Sequence, residues 1–104
     1  MTSPIFMLNA LWFKPNGGKE KYSEYGAAVA PLLEKHGAEI GPNYRPEQAL
    51  IGEWDADLFF VVKYPSKANF EAMITSPEYA SIMHLREQAI DKSLLVRCSA
   101  FEWS

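Results

Sequence analysis

The sequence lacks the features that several classes of protein require. Cys98 is its only cysteine, so no intrachain disulfide can form. The 10 basic residues are scattered among 13 acidic ones, and the formal net charge is −3. Without a basic run there is no electrostatic footprint for nucleic acid, and an acidic surface does not favour anionic membranes. We therefore expect neither nucleic acid nor a membrane as a partner.

Long apolar runs are absent too. None approaches the roughly 20 residues that a helix needs to span a bilayer. The first residues, MTSPIFMLNALWF, include an apolar run, but no positive residue precedes it and no cleavage site follows it, as a signal peptide would require. These absences favour a cytoplasmic protein.

Motifs for metals and cofactors are also missing. His36 and His84 fall on different helical faces, with no carboxylate at ligand spacing. The turn PNGGKEK (15–21) lacks the spacing of a P-loop and is typical of a turn with solvated lysines. Haem ligation by His36 has no further support. We expect no metal and no cofactor.

Apolar and aromatic residues are what the chain has in abundance. Its 104 residues are 48% hydrophobic and 13% aromatic. A chain of this length forms one domain, which we place at 1–104. That composition is rich for a small monomer with one core, so a second apolar surface covered by a partner chain is expected. We predict a homodimer.

The apolar pattern predicts four strands and three helices in the order β-α-β-β-α-α-β. The strands cover 5–14, 47–54, 58–64 and 93–103, and the helices cover 19–37, 65–75 and 76–90. This order is typical of a ferredoxin-like α+β fold, with helices on one face of an antiparallel sheet. Strands 5–14 and 58–64 are apolar on both faces, so an identical sheet from a second chain is the simplest cover for the other face.

Single residues mark several boundaries of these elements. Gly37 is expected to end the first helix, Ser66 to cap the second, and Pro77 to occupy the first position of the third. Pro31 should bend the first helix, and Gly52 suggests a bulge in the strand at 47–54.

Several short stretches resemble one known family. They are GEW (52–54), Asp57, YPS (64–66), SPEY (76–79) and Arg86, together with YSEY (22–25), Pro31 and EKHG (34–37) in the first helix. The chain resembles the group named domain of unknown function thirteen-thirty (DUF 1330), within the dimeric α/β-barrel superfamily. The resemblance implies a ferredoxin-like protomer and two protomers whose sheets face each other to form a barrel. It supplies no reaction.

Arg86 is the most informative residue of the predicted helix 76–90. At about 100° per residue it lies near the centre of an apolar stripe, and its neighbours three and four positions away are not acidic. A guanidinium keeps its charge and is costly to bury unpaired. It therefore either pairs with a carboxylate such as Glu53, Asp55 or Asp57, extends past the sheet edge, or binds an anionic ligand.

His36 and Asn9 are the other polar candidates. His36 lies on the apolar face of the first helix, either as a hydrogen-bonded core residue or as a general base or ligand contact beside Arg86. Asn9 interrupts an apolar strand, either to close a buried gap or to donate to a ligand oxygen.

Four aromatic residues have the spacing either of core residues or of a cavity wall; they are Trp12, Tyr22, Tyr25 and Tyr79. With Arg86 and Asn9 they define a hypothetical pocket between helices and sheet that binds a small anionic or aromatic molecule. The alternatives are a cofactor-free monooxygenase or isomerase that acts on phenolic or quinol-like substrates, and a dimeric module without chemistry. The sequence alone does not say whether the protein is an enzyme.

Overall fold

The structure, a computed structural model, describes residues 3–104. Four strands and four helices follow one another along the chain. They are β1 (Ile5–Phe13), α1 (Gly18–Lys35), β2 (Glu39–Ile40), β3 (Leu58–Tyr64), α2 (Lys67–Ile74), α3 (Pro77–Ala80), α4 (Met83–Ala89) and β4 (Ile90–Cys98).

The strands form one antiparallel sheet in the order β2-β3-β1-β4. β1 lies inside the sheet, where Ile5 pairs with Tyr64 of β3 and Phe6 pairs with Cys98 of β4. The predicted ferredoxin-like α+β fold is confirmed.

Alternate residues of the strands face the helices and form the core. From β1 these are Met7 and Leu11, and from β3 they are Phe60, Val62 and Tyr64. The helices complete the cluster with four buried residues, Tyr25, Val29, Leu33 and Met73. Because successive side chains of a strand point to opposite faces, the intervening residues of β1 and β3 lie on the other face of the sheet.

The predicted helix ends are confirmed. Gly37 has a left-handed φ of 76° and follows the last helical turn of α1, where its N–H donates to Glu34 O and the next N–H, of Ala38, donates to Leu33 O. These two bonds form a Schellman motif. The Ser66 hydroxyl accepts from the N–H of Asn69, and Pro77 occupies the first turn of α3.

The strand predicted at 47–54 is wrong. The second strand is Glu39–Ile40, which pairs with Lys63 and Val62, and Tyr44 then forms an isolated bridge with Phe59. These residues occupy the edge of β3 that the segment 47–54 would need, so that segment has no partner strand and is exposed almost throughout. Gly52, with φ of 82°, is therefore not a strand bulge.

Two other predicted boundaries also differ. The helix at 76–90 is two helices, α3 and α4, separated at Ser81 and Ile82. The last strand covers Ile90–Cys98 and not 93–103, because Cys98 already pairs with Phe6 near the start of β1 and little of β1 remains to pair with later residues. Within residues 3–104 no helix has the length and hydropathy needed to cross a membrane.

Candidate functional site

A large cleft lies between the helices and the sheet. Its volume is about 1130 Å³, and its lining includes Asn9, Tyr25, Tyr79 and Arg86. Ligand pockets are usually about 300–1,000 Å³, so this space is large enough for a small molecule. Tyr22 lines it as well, so five of the six residues that the sequence placed in the hypothetical pocket line one cleft.

Arg86 brings the charge to this cleft. It lies in the last turn of α4 and is half-buried. Among residues 3–104, five ion pairs have an N–O distance within 4.0 Å, and none includes Arg86. No hydrogen bond from its side chain to another described residue forms either. The guanidinium thus retains its donors for solvent or for an anion.

None of the three carboxylates considered as partners for Arg86 forms an ion pair with it. Asp55 Oδ1 accepts from the indole N–H of Trp12 at 2.9 Å, and Asp57 Oδ2 accepts from the backbone N–H of Phe13 at 2.8 Å. Glu53 is exposed in the loop before β3. Within the described chain, the structural ion pair proposed for Arg86 does not form.

Tyrosine hydroxyls lie near the guanidinium. The hydroxyls of Tyr25 and Tyr79 are 3.0 Å apart and hydrogen-bonded. Only one of the two hydrogens is used in that bond, so the other hydroxyl can donate to a ligand. The Tyr22 ring lies 5.4 Å from that of Tyr25, and the charge of Arg86 acts to lower the pKa of both phenols.

These phenols are held in their neutral form. Burial raises the pKa of Tyr22 to about 12, although the charge of Arg86 opposes the shift. Burial, with the hydrogen bond between the Tyr25 and Tyr79 hydroxyls, raises the pKa of Tyr25 further above its usual value. A neutral phenol donates its proton in a hydrogen bond, so at neutral pH the tyrosines act as donors toward an anion.

Tyr64 belongs to the same site, although the sequence reasoning did not nominate it. Burial, followed by the proximity of Tyr79 and Tyr22, raises its pKa to about 12. Its hydroxyl has no hydrogen-bond partner within residues 3–104. Among those residues, His36 Nε2 is the one fully enclosed side-chain polar atom without a partner, so the Tyr64 hydroxyl is not fully enclosed. Tyr64 lines the cleft. The hydroxyl must therefore open into the cleft. Alternation along β3, with Phe60 and Val62 on the same face, was the available signal.

Asn9 reaches the cleft from the centre of the sheet. Its Nδ2 donates to Met7 O at 3.2 Å, so part of its capacity is used within β1. Its amide oxygen and second N–H remain available to a ligand.

Trp12 is the nominated ligand residue that the structure does not bring into the cleft. It follows Leu11, which faces the helices, so it lies on the opposite face of the sheet. There its N–H binds Asp55, and Lys92 Nζ lies 4.5 Å from its ring centroid. Trp12 thus contacts Asp55 and Lys92 and does not line the cleft.

His36 also lies outside the cleft. It ends α1, about 16 Å along the helix axis from Tyr25. Its backbone oxygen accepts from Asn69 Nδ2, while its Nε2 is enclosed without a partner among the described residues. A role as general base beside Arg86 has no support in this geometry. In residues 3–104, no group of three or more His, Cys, Asp or Glu side chains is placed to hold a metal ion.

Comparison with protein families identifies the chain. The family model described as "Domain of unknown function (DUF1330)" matches residues 17–97, which include Arg86 and all five tyrosines that line the cleft but not Asn9. The chain belongs to the DUF1330 family. No curated protein matches it.

Solved structures resemble nearly the whole of this DUF1330 chain. A protein of unknown function from Rhodopseudomonas palustris is 31% identical, with a TM-score of 0.90 over 98% of this chain and 85% of that chain. A dimeric ferredoxin-like protein of unknown function from Jannaschia sp. CCS1 is 15% identical, with a TM-score of 0.75 over 94% of this chain and 100% of that one. An uncharacterised NIPSNAP domain protein from Burkholderia xenovorans is 10% identical, with a TM-score of 0.68 over 97% of each chain. At these two lower identities the likeness shows the fold alone.

Proposed function

We propose that this DUF1330 protein is a homodimer that binds a small anionic or aromatic molecule in the cleft between its helices and its sheet. The observation that carries the proposal is the half-buried guanidinium of Arg86, which has no carboxylate within 4.0 Å among the described residues. A partly desolvated charge of this kind is stabilised by a charged hydrogen-bond partner, and a ligand anion supplies one.

The surroundings of Arg86 suit an oxyanion. The Tyr25 and Tyr79 hydroxyls are hydrogen-bonded to each other and leave one O–H for a ligand. The neutral Tyr22 phenol adds a further donor on the same side. A carboxylate or phenolate oxygen would thus accept from a guanidinium and from one or two hydroxyls, and hydrogen bonds to charged groups contribute about 1.5–3 kcal/mol each.

Aromatic rings form the wall beside these donors. Phe13 lies 5.7 Å from Tyr22, Tyr22 lies 5.4 Å from Tyr25, and the Tyr79 ring meets Tyr25 edge to face at 6.4 Å. A row of tilted rings at these spacings offers faces and edges to another ring. The wall therefore supports an aromatic body as well as a charged group on the ligand.

The homodimer is supported by the face of the sheet that the helices leave uncovered. Apolar residues of β1, β3 and β4 occupy it; they are Phe6, Leu8, Phe59, Val61, Leu94 and Val96. Leu94 and Val96 remain 42% and 45% exposed. The molecule is only 18 Å thick along its shortest axis, as one helical layer on one sheet requires. A second copy of the same face would cover it, and the Jannaschia relative of the same fold is described as dimeric.

The rim of this face is polar. Trp12 carries its hydrogen bond to Asp55 and its contact with Lys92 at one end of the sheet, and Lys63 pairs with Glu39 at 3.8 Å toward the other end. An apolar centre within a polar rim is the usual anatomy of a protein interface.

A melting-temperature screen tests the ligand. Purified protein is heated with a panel of small carboxylates and phenols, and at least one compound is expected to raise the midpoint. In Arg86→Met the rise should fall strongly, whereas Arg97→Met removes an exposed arginine outside the cleft and should leave the rise unchanged. Equal stabilisation of Arg86→Met and wild type by every active compound would refute the proposal.

Sedimentation analysis tests the dimer separately. At micromolar concentration the protein is expected to sediment with the mass of two 11.8 kDa chains. A monomer at that concentration would refute the homodimer.

A further inference from the structure

The polarity of the cleft is unevenly distributed. At one end lie the Arg86 guanidinium and the hydroxyls of Tyr22, Tyr25, Tyr64 and Tyr79. The remaining buried lining is apolar, with Val29 and Leu33 of α1, Phe60 and Val62 of β3, and Met7 and Met73 among its members. A ligand that matches this lining has one polar end and an apolar body.

The polar end carries a single positive charge. Three other charged residues line the cleft, namely Lys19, Arg45 and Asp57, and all three are exposed. Asp57 is also engaged with the backbone N–H of Phe13. No second cation therefore shares the partly buried site with Arg86 within residues 3–104, and the phenols around it are neutral.

One guanidinium with neutral donors matches one kind of anion. A carboxylate carries a single charge and accepts two parallel N–H bonds from a guanidinium. A phosphate monoester approaches a charge of −2 at neutral pH, and its second charge would lie in a cleft with no further half-buried cation to balance it. The donor set therefore favours a monocarboxylate.

Resting on the proposed function, we infer that the cleft binds an amphipathic monocarboxylic acid. Its carboxylate lies on Arg86 and accepts from the Tyr25–Tyr79 hydroxyl pair and from Tyr22. Its apolar body, a ring system or an alkyl chain, extends over Phe60, Val62 and Met73. The volume of about 1130 Å³ leaves room for a body larger than one ring.

Titration calorimetry of the full chain tests this inference with four probes that share one ring system or one head group. They are 2-naphthoate, 2-naphthalenemethanol, 2-naphthyl phosphate and decanoate. We expect 2-naphthoate, decanoate or both to bind. If 2-naphthoate binds, 2-naphthalenemethanol and 2-naphthyl phosphate should bind at least about 10-fold more weakly than 2-naphthoate. If decanoate is the better acid, the series hexanoate, octanoate and decanoate should gain about threefold to fourfold in affinity per methylene.

Variants assign the head group. Arg86→Met should weaken the bound acid by about 10-fold to 100-fold and leave the neutral alcohol unchanged, and Arg86→Lys should fall between. Tyr79→Phe removes one hydroxyl and should weaken the acid severalfold, which keeps the test valid if Arg86→Met is poorly folded. Arg97→Met is the control, with wild-type affinity expected.

The outcomes separate this inference from the function on which it rests. Tighter binding of 2-naphthyl phosphate than of 2-naphthoate, with loss in Arg86→Met, would overturn the monocarboxylate and leave an anion site at Arg86. Binding of the acid and the alcohol with equal affinity would overturn the carboxylate head group and leave an apolar cleft. Failure of all four probes to bind would overturn the monocarboxylate, and the broader proposal would then depend on the melting-temperature screen.

Discussion

The two faces of the sheet differ in what each leaves without a partner. On the helix side, Met7 and Leu11 of β1 are buried, and the charged Arg86 has no ion-pair partner among residues 3–104. On the other side, Leu94 and Val96 are apolar and still 42% and 45% exposed. One face therefore lacks an anion for its arginine, and the other lacks an apolar surface to cover its own.

This difference separates two kinds of recognition within one small domain. Unpaired polar groups in a recess suit a small ligand that brings its own charge. A flat apolar sheet face suits a second protein surface of the same kind. If the two faces act separately, a substitution on one face should leave binding at the other face unchanged.

The largest effect is expected from a charge on the uncovered face. Val96→Asp places a carboxylate next to Leu8 on the uncovered face, within the proposed interface. Burying an unpaired charge there costs several kcal/mol, so the dimer dissociation constant should rise at least about 100-fold in sedimentation experiments. Ser93→Asp, on the same strand but on the side of Leu11, is the control and should leave the dimer intact. If both variants dimerise like wild type, the uncovered face is not the interface.

Alkaline pH should lower the free energy of unfolding through the buried tyrosines on the helix side of the sheet. Tyr22 and Tyr64 have an ordinary pKa of 10.0 that burial raises to about 12 in the folded chain. Their contribution is fully present below pH 10 and is lost as pH rises toward 12, because the unfolded chain then binds fewer protons than the folded one. In urea denaturation, Tyr22→Phe should reduce this loss by up to about 1.4 kcal/mol per pH unit between those values.

The control for this prediction is Tyr44→Phe, at a position that is 52% exposed. It should keep the wild-type dependence of stability on pH. An equal dependence in Tyr22→Phe and wild type would mean that the Tyr22 phenol is not buried as the structure places it.

A smaller effect is expected from Trp12, which tests the independence of the faces. Trp12→Phe loses the 2.9 Å hydrogen bond to Asp55, so the free energy of unfolding should fall by about 1 kcal/mol. Because Trp12 lies opposite the cleft, calorimetry should give wild-type affinity for the acid probe. A tenfold loss of ligand affinity would contradict the separation of the two faces.

The smallest effect is expected from Arg86→Met in the absence of ligand. Breaking a buried ion pair costs about 3–5 kcal/mol, but Arg86 has no such pair among residues 3–104. The free energy of unfolding should therefore change by less than about 0.5 kcal/mol, or rise, in urea denaturation. A loss near 3 kcal/mol would indicate a structural partner for Arg86.

The parts of the fold that were predictable from sequence are those that local signals determine. β1 and β3 are apolar runs with one polar residue each, Asn9 and Lys63, and the ends of the helices carry Gly37, Ser66 and Pro77. The second strand was not predictable in this way, since its place depends on which segment reaches the free edge of β3. Two residues, Glu39 and Ile40, take that edge, and no local pattern distinguishes so short a strand.

The site was predictable to a similar extent. Arg86 was found because a charge in an apolar stripe is anomalous, and it does line the cleft although its helix is interrupted before Met83. Trp12 could not be placed, because both faces of β1 are apolar and alternation alone does not tell which face meets the helices. His36 shares the stripe of α1 with Tyr25, but periodicity fixes an angle around the helix and not the distance of about 16 Å along it.

The most direct test of the central claim is a crystal structure of the protein purified from cells, inspected at the Arg86 guanidinium. If Arg86 binds a ligand anion, the structure should show electron density for a ligand whose oxygen atoms lie about 2.7–2.9 Å from the guanidinium nitrogens, the usual length of a charged hydrogen bond. A carboxylate of the protein in that position, from the same protomer or from its partner, would contradict it.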